Sequence, residues 1–261
     1  MTLAEAVHAE WTKLRTAPGN CWLLLAAAAL TITVSAAVDA AAGCSLSVSC
    51  QPDVARLSVT GIWAGQAVVA VLAVLVISDE YSTGMIRTTL AAIPRRTTVL
   101  AAKAAVLGGV VLCSGTVGVA GSILAGRLIL PGRGYTVAHG YVPLSLADGP
   151  TLRAAGGSVL YLTLIALLGL GAATALRNSA AAIAGALGLL YVFPLFAHVT
   201  SDPTWHRRYE QIGPMTAGLA IQATKNLGQL PIAPWSGLGV LAAWAAGAMI
   251  AGWLVLQVRD A

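Results

Sequence analysis

The chain has 261 residues, of which 57% are hydrophobic and 10% charged, with a net charge of +5. Soluble domains carry about 25% charged residues, and several uncharged stretches here exceed the ~20 residues needed to cross ~30 Å of hydrocarbon. A soluble protein is excluded, and the positive charge reads as arginines and lysines at membrane edges rather than as a nucleic-acid signature.

In chain order, residues 2–15 read as an amphipathic helix. Leu3, Val7, Trp11 and Leu14 recur at helical spacing on one face, and Thr2 with Glu5 has capping-box spacing. Glu5, His8, Thr12, Lys13 and Arg15 cover the other faces. Such a helix is expected to lie in the interface with Trp11 at headgroup depth, and Pro18-Gly19 breaks it. Residues 1–19 form this unit, and 20–261 a transmembrane domain.

Six spans follow, over 21–42 (with Asp39 near its outer end), 57–78, 104–126, 154–176, 179–197 and 236–256. Pro194 is expected to kink the fifth. Small residues recur throughout, as helix packing in a bilayer requires. No cleavable signal pattern precedes the first span, which is expected to act as an anchor. The fold class is an all-α polytopic membrane protein.

Six spans put both termini on one side. With the N-terminus inside, Lys13, Arg15, Arg87, Arg95, Arg96, Lys103, Arg177 and Arg259 are inside, eight against seven outside. The inside group lies closer to span ends, where the positive-inside rule has force, so both termini are expected in the cytoplasm.

Cys44 and Cys50 share one short loop; a disulfide is allowed if the loop is extracellular, and two free thiols are the alternative. Their spacing does not suit a zinc site. Cys21 and Cys113 read as packing residues. The loop 198–235 is the longest, and within it 212–224 is apolar but too short to span. It is expected to dip into the outer leaflet as a re-entrant helix or to pack on the outer face.

Between the second and third spans run Asp79-Glu80-Tyr81-Ser82-Thr83-Gly84-Met85-Ile86-Arg87-Thr88-Thr89-Leu90, then Pro94-Arg95-Arg96 and Lys103. Asp79 and Glu80 are expected to open a connector helix, where acids favour the dipole. Ile86, Leu90 and Ile93 form an apolar stripe that is expected to rest on the bundle.

Much chemistry is missing. Without a Gly-Lys dipeptide the chain has no phosphate-binding P-loop, and it has no His-Glu-x-x-His or Gly-x-Ser-x-Gly. The four histidines have no metal-ligand spacing, so no catalytic or metal residues are expected. Apart from Asp39 the spans are read as free of buried charge, which weighs against an ion-coupled carrier. Energy must come from elsewhere.

The connector, with its Glu, spaced Gly and Arg, Leu-Ala pair, basic doublet and later Ala-Lys, resembles the ABC-2-type permeases, the transmembrane subunits of bacterial ABC exporters. Glu10-Trp11-Thr12-Lys13-Leu14-Arg15-Thr16 is similar to actinobacterial members. The resemblance implies a type V (ABCG-like) fold in the bacterial cytoplasmic membrane. It implies that 79–96 is a coupling helix docking into a cytosolic ATPase through Asp79, Glu80, Tyr81, Thr83, Gly84, Met85, Arg87 and Thr88. Two ATPase copies, holding the ATP and Mg²⁺ that this chain lacks, and a second permease copy in a homodimer are the implied partners, with membrane lipid around them. A substrate cavity between the permeases is implied, with Trp63, Gln66, Val69, Tyr191, Phe193 and Phe196 as candidate lining. An amphipathic substrate (a drug-like natural product, peptide or lipid) would move outward by alternating access. A non-transporting sensor or immunity partner of an ABC ATPase is the alternative reading.

Overall fold

A long apolar segment in hydrocarbon must satisfy its own backbone groups, which makes helix its natural form. The computed structural model describes residues 2–43, 52–93, 95–136, 141 and 144–258, and of Arg87, Leu90 and Ala92 the backbone alone. Cys44 and Cys50 lie outside the described residues.

Six helices are long and apolar enough to cross a membrane among the described residues. They are α2 (Pro18–Ala41), α4 (Ile62–Ser82), α6 (Arg96–Ile129), α7 (Gly149–Leu176), α8 (Ser179–Val199) and α11 (Pro234–Val258). Each covers most of its predicted span, and α6 and α7 extend beyond theirs by a turn or more. Shorter helices are α1 (Leu3–Thr16), α3 (Val54–Ser58), α5 (Met85–Ala92), α9 (Pro203–Ile212) and α10 (Pro214–Gly218). Thr2 caps α1 in the predicted box with Glu5. The predicted break falls at Ala17, which is extended, and Pro18 directly begins α2, at a first-turn position where a missing N–H has no consequence. Pro194 sits inside α8 without ending it.

The central helix is α7, which packs against α11, α4, α6 and α8. The crossing with α11 is close because of paired glycines. A Cβ on Gly171 would stand 2.4 Å from the carbonyl carbon of Ala248, and one on Gly252 would stand 2.8 Å from the Gly171 carbonyl oxygen. The main apolar core, including Leu72, Leu107, Tyr161, Ile165 and Leu170, lies among these helices. Helices α2, α8 and α11 are far less covered than α4, α6 and α7. Cys21 and Cys113 lie exposed on helix surfaces rather than packed within the bundle.

One end of the bundle gathers α1, α5 and the C-terminal ends of α4 and α11. Arg96 of α6 donates to the carbonyls of Leu256 and Gln257, serving the open C-terminal turn of α11. At the opposite end, Asp53 caps α3 through the Arg56 N–H and also accepts from the Thr224 hydroxyl at 2.6 Å and the Lys225 N–H at 3.0 Å. This one carboxylate fastens the first loop on that side to the last. The apolar segment after α9 folds into the bundle: α10 and the 3-10 turn Leu219–Gln222 are buried except for the half-buried Thr216. Ile221 fills the space left by Gly157 of α7, and the Ala217 carbonyl lies against Gly237 of α11. Gln222 donates to Ser158 at 3.1 Å.

Candidate functional site

The chain turns sharply between α4 and α5. Gly84 has φ +69°, a left-handed conformation that suits a residue without a side chain. The connector is therefore not one helix over 79–96. Asp79 and Glu80 belong to the last turn of α4, where the dipole is negative and carboxylates are disfavoured. That departs from the expected position at a helix start, and it raises the question of what holds Glu80 there.

Four charges answer it. Lys103 of α6, 1% exposed, has its Nζ 2.6 Å from Oε2 of Glu10 in α1 and 2.6 Å from Oε1 of Glu80. Lys13, one turn beyond Glu10, has its Nζ 2.8 Å from Glu10 Oε1 and 2.9 Å from Glu80 Oε1. It also donates to the Thr89 hydroxyl of α5 at 3.1 Å, and that hydroxyl in turn donates to the Met85 carbonyl. Two cations and two anions cancel, so the cluster is neutral while joining α1, α4, α5 and α6. The pairing holds the network together, with Glu80 Oε2 left buried and without a hydrogen-bond partner among the described residues; losing one member leaves an unpaired charge. Burial pushes the Lys13 ammonium down, but hydrogen bonds and charge from Glu10 and Glu80 outweigh it and leave the pKa above the ordinary 10.5. Beside the cluster Ala6 of α1, Ile93, and Val99 and Ala102 of α6 form a small apolar core, which anchors the end of the connector.

The spans as predicted contain no charge but Asp39, yet α4 and α6 run on beyond them and bring Glu80 and Lys103 into the bundle as buried charges. Lys103 sits just outside the predicted third span, and only the extension of α6 carries it into the bundle. The faces of α1 also differ from the sequence pattern. Ala6, Glu10 and Leu14 face inward, whereas Leu3 and Trp11 are about half exposed. The i, i+4, i+8 spacing of Ala6, Glu10 and Leu14 was a legible signal, masked because a glutamate in its middle scores as polar.

The expected docking residues divide. Asp79, Thr83, Gly84, Met85 and Thr88 are exposed; Tyr81 is half-buried beneath the Arg177 guanidinium, 5.5 Å from its ring centre. Glu80 points inward to the lysines. The side chain of Arg87 is outside the described atoms. Between α1 and the α4–α5 turn opens a cleft of about 270 Å³, lined by Lys13, Thr16, Asn20, Asp79, Thr83 and Met85 among others.

The expected cavity residues do not form one surface. Gln66 is fully buried, accepting from Tyr161 and reaching the Tyr191 hydroxyl at 3.3 Å and the Met215 sulfur at 3.2 Å. Tyr191 also donates to the Trp63 carbonyl at 2.8 Å. These contacts hold α4, α7, α8 and α10 together, and Val69 lies in the core beside them. Trp63 is 46% exposed. Phe193 packs edge-on to Trp244, and Phe196 stacks on Tyr209 of α9.

Residues 6–194, well over half of the chain, match the family model described as ABC-2 family transporter protein. The chain belongs to that family. No curated protein matches it significantly. As an ABC-2 family member it is the multi-pass transmembrane component of an ABC transporter, whose members work with an ABC ATPase partner. The matched region contains the whole charge cluster and ends inside α8; α9, α10 and α11 lie beyond it.

Proposed function

We propose that this chain is the permease subunit of an ATP-driven exporter and that the α4–α5 turn is its coupling element. The observation that carries the reading is the neutral cluster of Glu10, Lys13, Glu80 and Lys103. It ties a solvent-exposed turn to two spanning helices, so a push on the turn moves α4 and α6 rather than bending a loop. Asp79, Thr83, Met85 and Thr88 offer the outward surface on which an ATPase would rest, and the cleft beside α1 would receive one of its side chains. That end of the bundle then faces the cytoplasm, with both termini.

Substrate would move outward between two copies of the chain. The poorly covered helices α2 and α8 leave apolar faces to pair, and Trp63 and Phe196 are exposed aromatics toward the opposite end of the bundle. An amphipathic substrate would meet those rings. The buried segment 214–222 would cap the exit at the outer end, fastened by Gln66 through Met215 and by Gln222 through Ser158.

Co-expression with a candidate ABC ATPase partner, followed by native mass determination in mild detergent, tests the reading. Two copies of this chain with two ATPases are expected. A chain that recovers no ATPase contradicts the proposal.

A further inference from the structure

Toward the loop-rich end of the bundle, α6 and α7 leave a groove of about 650 Å³ that opens sideways. Thr116, Val119 and Ile123 form one wall, Gly156 and Leu160 the other, and Trp235 at the start of α11 closes one edge. The α6 stretch from 112 to 123 rises about 17 Å at 1.5 Å per residue. That is close to half of a ~30 Å hydrocarbon core, the depth of one leaflet. The lining is almost entirely apolar, and it faces outward from the bundle where a bilayer would lie.

One cation lines the groove. Arg153 stands one turn into α7, near the end where headgroups would sit. One of its N–H groups donates to the Ala223 carbonyl at 2.5 Å, while its Nε is buried with no hydrogen-bond partner among the described residues. No carboxylate lies within ion-pair distance of it among those residues. The nearest-placed acid in sequence, Asp148, is occupied with the Thr151 backbone and hydroxyl. A guanidinium left without counter-charge beside hydrocarbon is costly and draws an anion. Its planar fork matches phosphate geometry.

We propose that this groove binds an anionic glycerophospholipid of the adjacent leaflet, with an acyl chain laid between α6 and α7 and the phosphate paired with Arg153. A helix of a second copy, ~10 Å across, would cover the same groove with apolar side chains and leave the guanidinium unpaired. The lipid satisfies both the apolar wall and the charge, and it would brace the loop joined to Arg153 through Ala223.

The full-length protein is reconstituted in bilayers of equal phosphatidylglycerol and phosphatidylcholine, extracted gently, and its retained lipid counted by native mass spectrometry. Wild type is expected to keep phosphatidylglycerol in preference. Arg153→Gln lowers that retention about tenfold, the loss of one charge-assisted contact, and removes the preference. Gly156→Leu grows into open space, since a Cβ there meets nothing within 4 Å. It is expected to displace both lipids, and it carries the test if Arg153→Gln fails to assemble. Equal phosphatidylglycerol retention by wild type and Arg153→Gln overturns the proposal. So does full retention by Gly156→Leu, or a dimer that falls to monomer in Gly156→Leu with its lipid unchanged, which would make the groove a contact between copies.

Discussion

Lys103 concentrates the residue-scale physics. A buried ammonium must recover several kcal/mol of lost hydration from its partners, and here two carboxylates lie 2.6 Å away. Lys103→Met leaves Glu10 and Glu80 facing Lys13 alone and is expected to destabilise the protein by about 3–5 kcal/mol, read as a lowered Tm in detergent. Adding Glu10→Gln removes one excess charge and should recover part of the loss; strict additivity of the two changes would show that the residues do not interact. Lys13 adds a pH signature. Its folded pKa is raised above 10.5, so the protonated form stabilises the fold fully below that value and the contribution fades as pH climbs through the raised one. The Tm gap between wild type and Lys13→Met should hold steady from about pH 6 to about pH 9 and close only in strong alkali. A gap that closes near neutrality would remove Lys13 from the cluster. Little of this was legible in the sequence. Glu80 and Lys103 were visible as connector charges, but pairing across 93 residues with Glu10 is a tertiary fact. Gln66 stood out as an amide inside a span, and its role as a knot between four helices depended on partners as distant as Met215.

At the scale of elements, hydropathy determined most of the result. Six long apolar runs had to be helices, and their order and approximate ends followed from composition alone. The ends that differed did so for local reasons. Pro18 starts a new helix directly after the one before it has ended, and α4 runs through Glu80 because Lys103 and Lys13 offset the unfavourable helix terminus. The connector divides at Gly84 because the chain needs a left-handed residue there. Packing between elements was less visible. Gly171 and Gly252 are two among 28 glycines, and only the fold shows that they let α7 and α11 touch. Gly171→Leu is expected to prevent that approach and yield little folded protein in the membrane. Gly188→Leu, whose added Cβ in α8 meets nothing within 4 Å, should be tolerated. Equal yields from both would mean that the α7–α11 crossing is not close.

Over the whole molecule the two ends of the bundle are built differently. One end is a charged clamp that holds a short exposed turn; the other is a set of loops pinned by Asp53 and closed by a buried apolar segment. Family membership rests on residues 6–194, which include the clamp. On the proposed reading the clamped end is the driven one and the other end opens. The most direct measurement puts a photo-crosslinking amino acid at Met85, 44% exposed at the turn, and activates it in membranes that contain the ABC ATPase partner. An adduct of this chain with the ATPase is expected, weakened by Lys103→Met, and none from the same group at Trp205 on α9. An adduct from Trp205, or none from Met85 in an assembled complex, would contradict that reading.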